Sequence, residues 1–551
     1  MSAQFKIKAA DPASVVRLER ELGLPRFIAA TLVARGIDNP AAVHRFLAPS
    51  LERDWLDPYI IPGLSDVADA LEAAVKRGDH ILVFGDFDLD GISATTVLTR
   101  GLRALGAQAT PFIPLRFEEG YALSQAAITR ACSFGPDFIV TVDCGIACKA
   151  EAAAVVEAGL GLAITDHHEP VDLVPEGVPV ADPKCDANCP SSILAGVGVA
   201  LKLVQVLGGR LGQPHLWRDF TDFATLGTVA DLMPMRDENR ALVSDGIARM
   251  NAAPRPCIAA LLATSGAADK PVSATNLSFS VIPRLNAAGR MGDAQLALDL
   301  LMTDDFEEAN RLATKLESVN DQRRAIEAEL SEIAKAQAAE IYHGQRALVV
   351  SGESWHEGVK GIVASRLVNT YGVPSLLFTI DGDEARGSGR SVGQVSLFSA
   401  VESASDLLTR FGGHDAAVGV TLPADKLPEF ERRLCAYMDA LPEGAFHPLV
   451  EIDSCVSLDE LTLDNVAQLD KLAPFGQEHP VPVYLARDVM LANCRTVGAE
   501  KNHFSCSLSD GRATVSGIMF HCSDIESLMR TDSVVNAAFE VQIDEWRGRR
   551  S

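Results

Sequence analysis

The sequence predicts an α/β protein: a doubly wound parallel sheet, then a long connecting helix, a smaller α/β domain and a C-terminal β-barrel. Three observations carry this expectation. Between residues 81 and 182, short apolar runs alternate with helical stretches at a spacing of about 20–30 residues, the signature of parallel strands joined by crossover helices. Residues 304–343 contain neither proline nor glycine and repeat apolar positions in helical phase. From residue 449 the pattern changes to short alternating stretches with polar turns, VPVYLARDVML, HFSCSLSDG, RATVSGIMFH and NAAFEVQIDEW, which reads as a small barrel of OB type.

The bulk properties narrow the class. A chain of 551 residues exceeds one hydrophobic core, so several domains are expected. With 47% hydrophobic and 22% charged residues it has a globular composition. No apolar run reaches the roughly 18 residues of a membrane span. The N-terminal MSAQFKIKAADPASVVRLERELGL lacks the charged-then-apolar order of a signal peptide. The 11 cysteines are scattered, and neither Cys144/Cys148 nor Cys185/Cys189 has CxxC spacing, so neither a disulfide framework nor a zinc site is expected. A reduced cytoplasmic enzyme, monomeric and without a membrane partner, is the expectation. A net charge of −25 disfavours whole-surface binding to nucleic acid. It leaves room for a local groove of placed arginines and bound cations, salt-sensitive in its grip on a polyanion.

In order along the chain, residues 1–80 read as helices forming a preceding subdomain. The strands expected next are 81–88 (ILVFGDFD), 108–114 (QATPFIP), 138–145 (FIVTVDCG), 161–168 (GLAITDHH) and 178–182 (VPVAD), with helices over 91–104, 123–134 and 147–158. In 304–343, Asp304 and Glu307 have capping-box spacing, and Leu312, Leu316, Val319, Ile326, Leu330, Ala334, Ala338 and Ile341 form one stripe. That describes a helix of roughly 40 residues, about 60 Å long. Its length favours a strut between two domains over a core helix of one. Beyond it, ALVVSG (347–352) and SLLFTI (375–380) flank a helical 358–370, the expected second α/β domain.

Ligands of open α/β sheets collect beyond the carboxyl ends of the strands. Metal-type side chains recur there: Asp86, Asp88 and Asp90 after the first run, Asp143 after the third, Asp166, His167 and His168 after the fourth. A later apolar stretch, FATLGTVADLMP, delivers Asp231. Any one aspartate could simply cap a helix. Gathered together they repel one another unless cations sit among them. Hard oxygens with one or two imidazoles suit Mn²⁺ or Mg²⁺ better than zinc. The carboxylates are too many for one ion, and a pair about 3.5–4 Å apart would neutralise them and activate water for phosphoester hydrolysis.

GDFDLDG, TVDCG, TDHH and LGTVADLMP, in this order and spacing, resemble the four motifs of the DHH phosphoesterase superfamily. WHEGVKGIVASRL (355–367), PRLNAAGRM (283–291), GSGRS (387–391), FGGHDAAVG (411–419), LAPFGQEHPVPVY (472–484) and RFIAATLVARGI near the N terminus resemble one branch of it, the RecJ single-strand-specific 5′ exonucleases. The resemblance implies N-terminal helices plus a DHH catalytic domain over 1–302, a connecting helix over 303–345, a DHH-associated nucleic-acid-binding domain over 346–446 and an OB-like domain over 447–551. It implies that Asp90, Asp143, His167 and Asp231 hold one of two divalent cations, Mn²⁺ or Mg²⁺. Asp143 would bridge to the second, held by Asp88, with Asp86 binding metal or orienting the loop. Asp143, His167 and His168 would be catalytic, His168 facing the scissile phosphate while Asp166 orients an imidazole. Arg116, Ser388 and Arg390 would cradle a 5′ phosphate, Arg116 being otherwise a solvated arginine beside Glu118 and Glu119. Arg284, Asn286 and Arg290 would meet a nucleic-acid backbone, or else form a turn tied by an internal salt bridge. Gly412, Gly413 and His414 would contact phosphate, or else make a tight turn. The implied activity is 5′→3′ hydrolysis of single-stranded DNA in repair and recombination, with a single-strand-binding protein and a helicase as partners. An oligonucleotide or cyclic-dinucleotide phosphodiesterase of the same superfamily is the alternative.

Three departures from the family pattern stand out. Phe84 occupies a position where the superfamily often has histidine, which leaves the second cation fewer side-chain ligands. Val418 stands at a usually small position and is expected to narrow contacts there. The sequence ends at EWRGRRS, where family members usually continue into another strand, so the barrel is expected to be incomplete or closed differently.

Overall fold

The apolar run ILVF (81–84) alternates its side chains between two faces, and each face finds its own helices. The computed structural model describes residues 3–120, 122–498, 501–522, 525–530, 534–546 and 549–550. In it the first sheet comprises β1 (His80–Phe84), β2 (Gln108–Phe112), β3 (Phe138–Thr141), β4 (Gly161–Thr165) and β5 (Val180–Ala181). All neighbours are parallel and the spatial order is β2-β1-β3-β4-β5. Ile81, Val83, Val140 and Ala163 pack with residues of the helices Leu64–Arg77, Leu89–Ala104 and Gly196–Arg210. Leu82, Phe84, Ile139, Leu162 and Ile164 form a separate core with residues of Gln125–Cys132 and Lys149–Glu157 on the opposite face. Burial on both faces explains why the strands are almost wholly apolar. The order reverses between β1 and β3, and such a switch point opens a crevice beyond the strand ends.

The strands stop short of the runs expected from sequence. β1 ends at Phe84, β3 at Thr141 and β4 at Thr165, so Asp86, Asp88, Asp90, Asp143 and Asp166 lie in a loop or first helical turn past the sheet. Asp231 corrects a second expectation, since FATLGTVA is helical (Thr221–Ala230) and Asp231 caps its C terminus.

The long helix runs from Phe306 to Ile341, 36 residues or about 54 Å. Its cap lies one residue later than the capping-box reading: Asp305 accepts from the Glu308 N–H at 2.7 Å, while Asp304 pairs with Arg100. Leu312 and Leu316 belong to the core of the first domain, whereas Leu330, Ala334 and Ala338 pack with Leu348, Val350, Val363 and Leu367 of the second. The helix is thus a strut sharing both cores. The second domain carries a mixed five-stranded sheet in the order Arg410–His414, Ala417–Pro423, Glu384–Arg390, Ser375–Asp381, Leu348–Glu353, and only its last two strands are parallel.

The N-terminal helices do not join the catalytic domain as the 1–302 division expected. Residues 1–48, 447–473 and 480–551 form one compact unit, and residues 49–446 with 474–479 form the other. Strand Gln4–Ile7 pairs in parallel with Leu449–Ile452, and Phe27 packs edge-on against Tyr484 at 5.3 Å. Arg35 grips the buried Asp453 bidentately at 2.8 and 2.9 Å. In the C-terminal sheet of this unit, the 15-residue strand Val483–Val497 bends through two bulges to pair with both His503–Ser509 and Val535–Glu540. EWRGRRS falls partly outside the described residues, since Arg547, Gly548 and Ser551 are not among them.

In the catalytic unit, the helix Gly196–Arg210 is anchored by a fully buried ion pair. Lys202 bonds Glu238 and the Leu56 carbonyl (2.6 Å), and Glu238 also accepts from Ser191 (2.5 Å) and the Leu56 N–H (2.9 Å). Removing one partner of such a pair strands a buried charge. Glu238→Ala should therefore cost about 3–5 kcal/mol in urea unfolding, and Glu238→Gln distinctly less. An Ala variant within 1 kcal/mol of the parent would show that the pair does not anchor the helix.

Candidate metal centre and phosphate pocket

Each acidic side chain is aimed by a local feature of the chain. Asp88 caps the helix Leu89–Ala104, accepting from the Gly91 N–H at 3.0 Å. Gly91 is obligatory, because a Cβ there would lie 2.6 Å from the Asp86 backbone. Asp90, in the first helical turn, is buried and accepts from the N–H groups of Gly196 (2.7 Å) and Val197 (3.0 Å). Asp143 follows β3 with φ +61°, a strained left-handed conformation for a non-glycine residue. A Cβ at Gly196 would lie 2.5 Å from its side chain. Asp231 sits at the carbonyl end of its helix, where the macrodipole disfavours an unneutralised carboxylate.

These groups converge. His167 Nε2 lies 3.1 Å from Asp143 Oδ1, 3.7 Å from Asp90 Oδ2 and 3.7 Å from Asp231 Oδ2. Three overlapping sets each place their ligand atoms within 4.8 Å of one another: Asp90/His167/Asp231, Asp143/His167/His168 and Asp86/Asp88/Asp143. Asp143 is shared by two of the sets, as is His167. Asp86 Oδ1 and Asp143 Oδ1 are buried with no hydrogen-bond partner among the described residues, which fits ligand atoms of a cation. Phe84 is buried in β1, stacked on Phe112 at 4.9 Å, and leaves the second set all-carboxylate.

Burial, reinforced by neighbouring carboxylates, holds the carboxyls of Asp86, Asp90 and Asp143 well above the ordinary range. Asp231 is pushed up to about 7, by burial and then by Asp88. Burial, together with the neighbouring His168, drives His167 down to about 3, so it is a neutral imidazole fit for coordination. Burial also opposes charge on His168, but the hydrogen bond and charge of Asp166 outweigh it, and His168 rises to about 9. Asp166 Oδ1 meets His168 Nδ1 at 2.7 Å, and its Oδ2 accepts from the Ile146 N–H at 2.9 Å. Its place as the orienting partner of an imidazole is therefore visible in the geometry.

The arginines separate into two kinds. Arg116 lies over the Phe87 ring at 4.7 Å and does not pair with Glu118 or Glu119; Glu119 is engaged by Arg130. Burial lowers Arg116, Arg290 and Arg390, and Arg290, pushed down to about 10, also feels the charges of Arg116, Arg323 and Arg390. Arg390 Nη1 sits 3.4 Å from Ser388 Oγ. Gly361, in the first turn of the helix Lys360–Tyr371, comes so close that a Cβ would lie 2.5 Å from Arg390 Nη2 and 3.1 Å from Ser388 Oγ. Guanidiniums, a hydroxyl and a helix N terminus thus form one group, joined to the carboxylates through Arg116, which feels Asp86 and Asp88. Arg284 is different: it follows the alternative reading of an internal salt bridge, made from a helix rather than a turn. Buried in the helix Ile282–Arg290, it is committed to Glu317 of the strut and to the Ser280 carbonyl (2.6 Å). Asn286 is half-buried on the same helix.

Gly412, Gly413 and His414 form an exposed edge strand. Gly413, at φ +134°, faces the Ala417 carbonyl so closely that no side chain fits. Val418 points into the core, 3% exposed, and so does not narrow the surface as expected. A cavity of about 500 Å³ opens from Asp166 and His168 and is bounded by Cys148, Val171 and Arg410. Sequence reasoning missed Arg323 on the strut. Its signal was a polar break in an apolar stripe, Asn320, Arg323 and Glu327, spaced to share one helix face. Glu327 ties Arg323 (2.5 Å) to Arg366 of the second domain.

Comparison with known proteins places these features in a family. The DHH family N-terminal domain matches residues 80–228, the DHHA1 domain 344–440 and the RecJ OB domain 452–551. The single-stranded-DNA-specific exonuclease RecJ of Bacillus subtilis is 33% identical over 99% of this chain and 69% of its own. That of Dickeya dadantii is 32% identical over 96% of this chain and 95% of its own. The crystal structure of Thermus thermophilus RecJ with Mn²⁺ superposes with a TM-score of 0.86 at 30% identity, covering 100% of this chain and 78% of that one. Its Mg²⁺ complex gives 0.79 at 28% identity, with 100% and 77% covered.

The raised carboxyls make a thermodynamic prediction. Asp86, Asp90, Asp143 and Asp231 all ionise at higher pH in the fold than in the unfolded chain. The metal-free folded state therefore holds extra protons and loses stability as pH rises from the ordinary 3.8 through about 7. In EDTA the unfolding temperature should fall between about pH 5 and about pH 8, and Mn²⁺ should stabilise more at the higher pH because binding displaces protons. Asp90→Asn with Asp231→Asn should flatten the metal-free slope. A midpoint that rises over the same interval would contradict the assignment.

Proposed function

The chain belongs to the RecJ family of single-stranded-DNA-specific exonucleases, and we propose that it removes nucleotides one at a time from the 5′ end of single-stranded DNA, with two divalent cations, Mn²⁺ or Mg²⁺. The observation that carries this reading is the overlap of three ligand sets on Asp143 and His167, with an arginine pocket beside them. In this reading Asp90, Asp143, His167 and Asp231 hold one cation, and Asp86, Asp88 and Asp143 hold the other. When bound, such a pair lowers the pKa of the attacking water and neutralises charge on the phosphoryl oxygens.

The chain's own residues supply position and protons. Arg116, Arg290 and Arg390, with Ser388 and the Gly361 turn, hold the 5′ phosphate of the terminal nucleotide; guanidinium forks suit phosphate oxygens. The next phosphate then lies at the carboxylate cluster, so a single nucleotide is measured off. Hydrolysis breaks the bond from phosphorus to the 3′ oxygen of that nucleotide. His168, held as an imidazolium by Asp166, gives the departing 3′ oxygen its proton. The strand left behind carries a new 5′ phosphate and must advance by one nucleotide to fill the arginine pocket, which makes the cycle repeat with one polarity. Gly412, Gly413, His414 and Asn286 line the strand's path in this reading. A single-strand-binding protein and a helicase are the partners it calls for, and a cytoplasmic monomer is its setting. Among the described residues no helix is long and apolar enough to cross a membrane.

On single-stranded DNA labelled at the 3′ end, the enzyme with Mn²⁺ or Mg²⁺ should give a ladder that shortens from the 5′ end, abolished by EDTA and by Asp143→Ala. Asp166→Asn should lower the rate by about 10- to 100-fold. Intact long strands alongside cleaved di- to pentanucleotides would instead select an oligonucleotide phosphodiesterase. Arg390→Ala should lower kcat/KM on 5′-phosphorylated strands roughly 10- to 150-fold, the worth of one charged hydrogen-bond set. It should leave 5′-hydroxyl strands nearly unchanged; an equal loss on both would remove Arg390 from the 5′ pocket.

A further inference from the structure

At the far end of the helix Leu89–Ala104, away from the metal centre, lies a cavity of about 660 Å³ that the proposed reaction does not use. From Asp90 to Arg103 the helix rises about 20 Å. Arg100, Arg103, Arg249 and Arg255 line the cavity against only three carboxylates, Asp219, Asp222 and Asp304. Two of the arginines are spent on structure. Arg100 bonds the Leu301 carbonyl (3.0 Å) and Asp304 (3.1 Å). Arg255 bonds the buried Asp222 at 2.7 Å and lies over the Phe223 ring at 4.8 Å.

The other two present free donors. Arg103 spends its Nε on the Ala109 carbonyl (2.9 Å), and its two terminal nitrogens have no ion pair among the described residues. Arg249 reaches Asp219 only at 3.6 Å, and its buried Nε has no hydrogen-bond partner among the described residues. An unpartnered buried donor on a cation is costly, and it marks Arg249 as a guanidinium that the described residues balance only weakly. Half-buried Leu216 and Met302 add apolar wall.

We propose that this cavity is a second anion site, in which the free donors of Arg103 and Arg249 hold the phosphoryl group of a mononucleotide whose sugar and base lie against Leu216 and Met302. The volume falls within the roughly 300–1,000 Å³ of small-molecule sites. Asp219 and Asp304, exposed at 66% and 70%, stand on the rim and would repel the extra charge of a triphosphate, which favours a single phosphoryl group. Free phosphate shares that chemistry, so the test separates the two.

Binding of thymidine 5′-monophosphate, inorganic phosphate and thymidine is measured by calorimetry on the full chain in EDTA. Three proteins are compared: the parent, Arg390→Gln to silence the 5′ pocket, and Arg103→Gln/Arg249→Gln. The monophosphate should still bind Arg390→Gln protein and bind the Arg103/Arg249 variant at least about 10-fold more weakly at this site, the loss of about 1.4 kcal/mol or more expected for charged hydrogen bonds. Thymidine should not bind. Exonuclease activity of the Arg103/Arg249 variant should match the parent, which also certifies its fold. If the double variant does not fold, Arg103→Gln alone serves, because its lost groups have no protein partner. No monophosphate binding to Arg390→Gln protein, or equal binding to all three proteins, overturns the site. Inorganic phosphate binding as tightly as the monophosphate overturns the nucleotide as its occupant.

Discussion

The arrangement rests on one electrostatic constraint: several carboxylates buried within a few ångströms of each other, none able to ionise comfortably in the presence of the rest. The neighbouring backbone is shaped to keep them there. Gly196 and Gly227 vacate the space the carboxylates occupy, Gly91 that of the Asp86 backbone, and a Cβ at Gly227 would lie 2.6 Å from Asp90 Oδ1. Two amide N–H groups fix Asp90, and Asp143 is held in a left-handed conformation. Such strain and repulsion persist only where the surroundings over-determine them, and here divalent cations are what make the site favourable.

Charge of the opposite sign is gathered near the carboxylates, since Arg116 feels Asp86 and Asp88, and Arg290 feels Arg116, Arg323 and Arg390. Arg116 comes from the loop after β2, Arg290 from the helix Ile282–Arg290, Arg323 from the strut and Arg390 from the second domain. Burial disfavours charge on Arg116, Arg290 and Arg390, and on Arg290 the other arginines add to it, the counterpart of the carboxylates that raise one another. The strut contributes to both tasks, sharing the apolar cores of the two domains and holding the buried Glu327 between Arg323 and Arg366. A protein of net charge −25 thus keeps a local group of fixed arginines, which is what the proposed grip on a polyanion requires.

Particular elements show why some of this was legible in the sequence. Buried parallel strands must be apolar on both faces, and a cation pair needs carboxylates at the strand ends, so the sheet and the acidic motifs could be read directly. Asp86, Asp88, Asp90, Asp143, His167 and Asp231 do converge. The strut could be read as well, because a helix of that length without proline or glycine has one regular solution. Its cap and the strand ends shifted by a few residues, since local hydrogen bonds compete closely there.

Pairing across long sequence separations was decided only in three dimensions. Arg284 and Arg290 sit in one motif, yet Glu317, reached through the strut, takes the first and leaves the second for the pocket. The N-terminal helices looked like a neighbour of the catalytic domain, but their apolar face found Tyr484 and their Arg35 found Asp453. Asp231 was placed by a helix end rather than a strand. By itself, the sequence determined which residue types are available and the period in which they face. Which arginine is neutralised and which stays free depends on the partner that tertiary packing brings within hydrogen-bond distance, and short-range patterning carries no information about that.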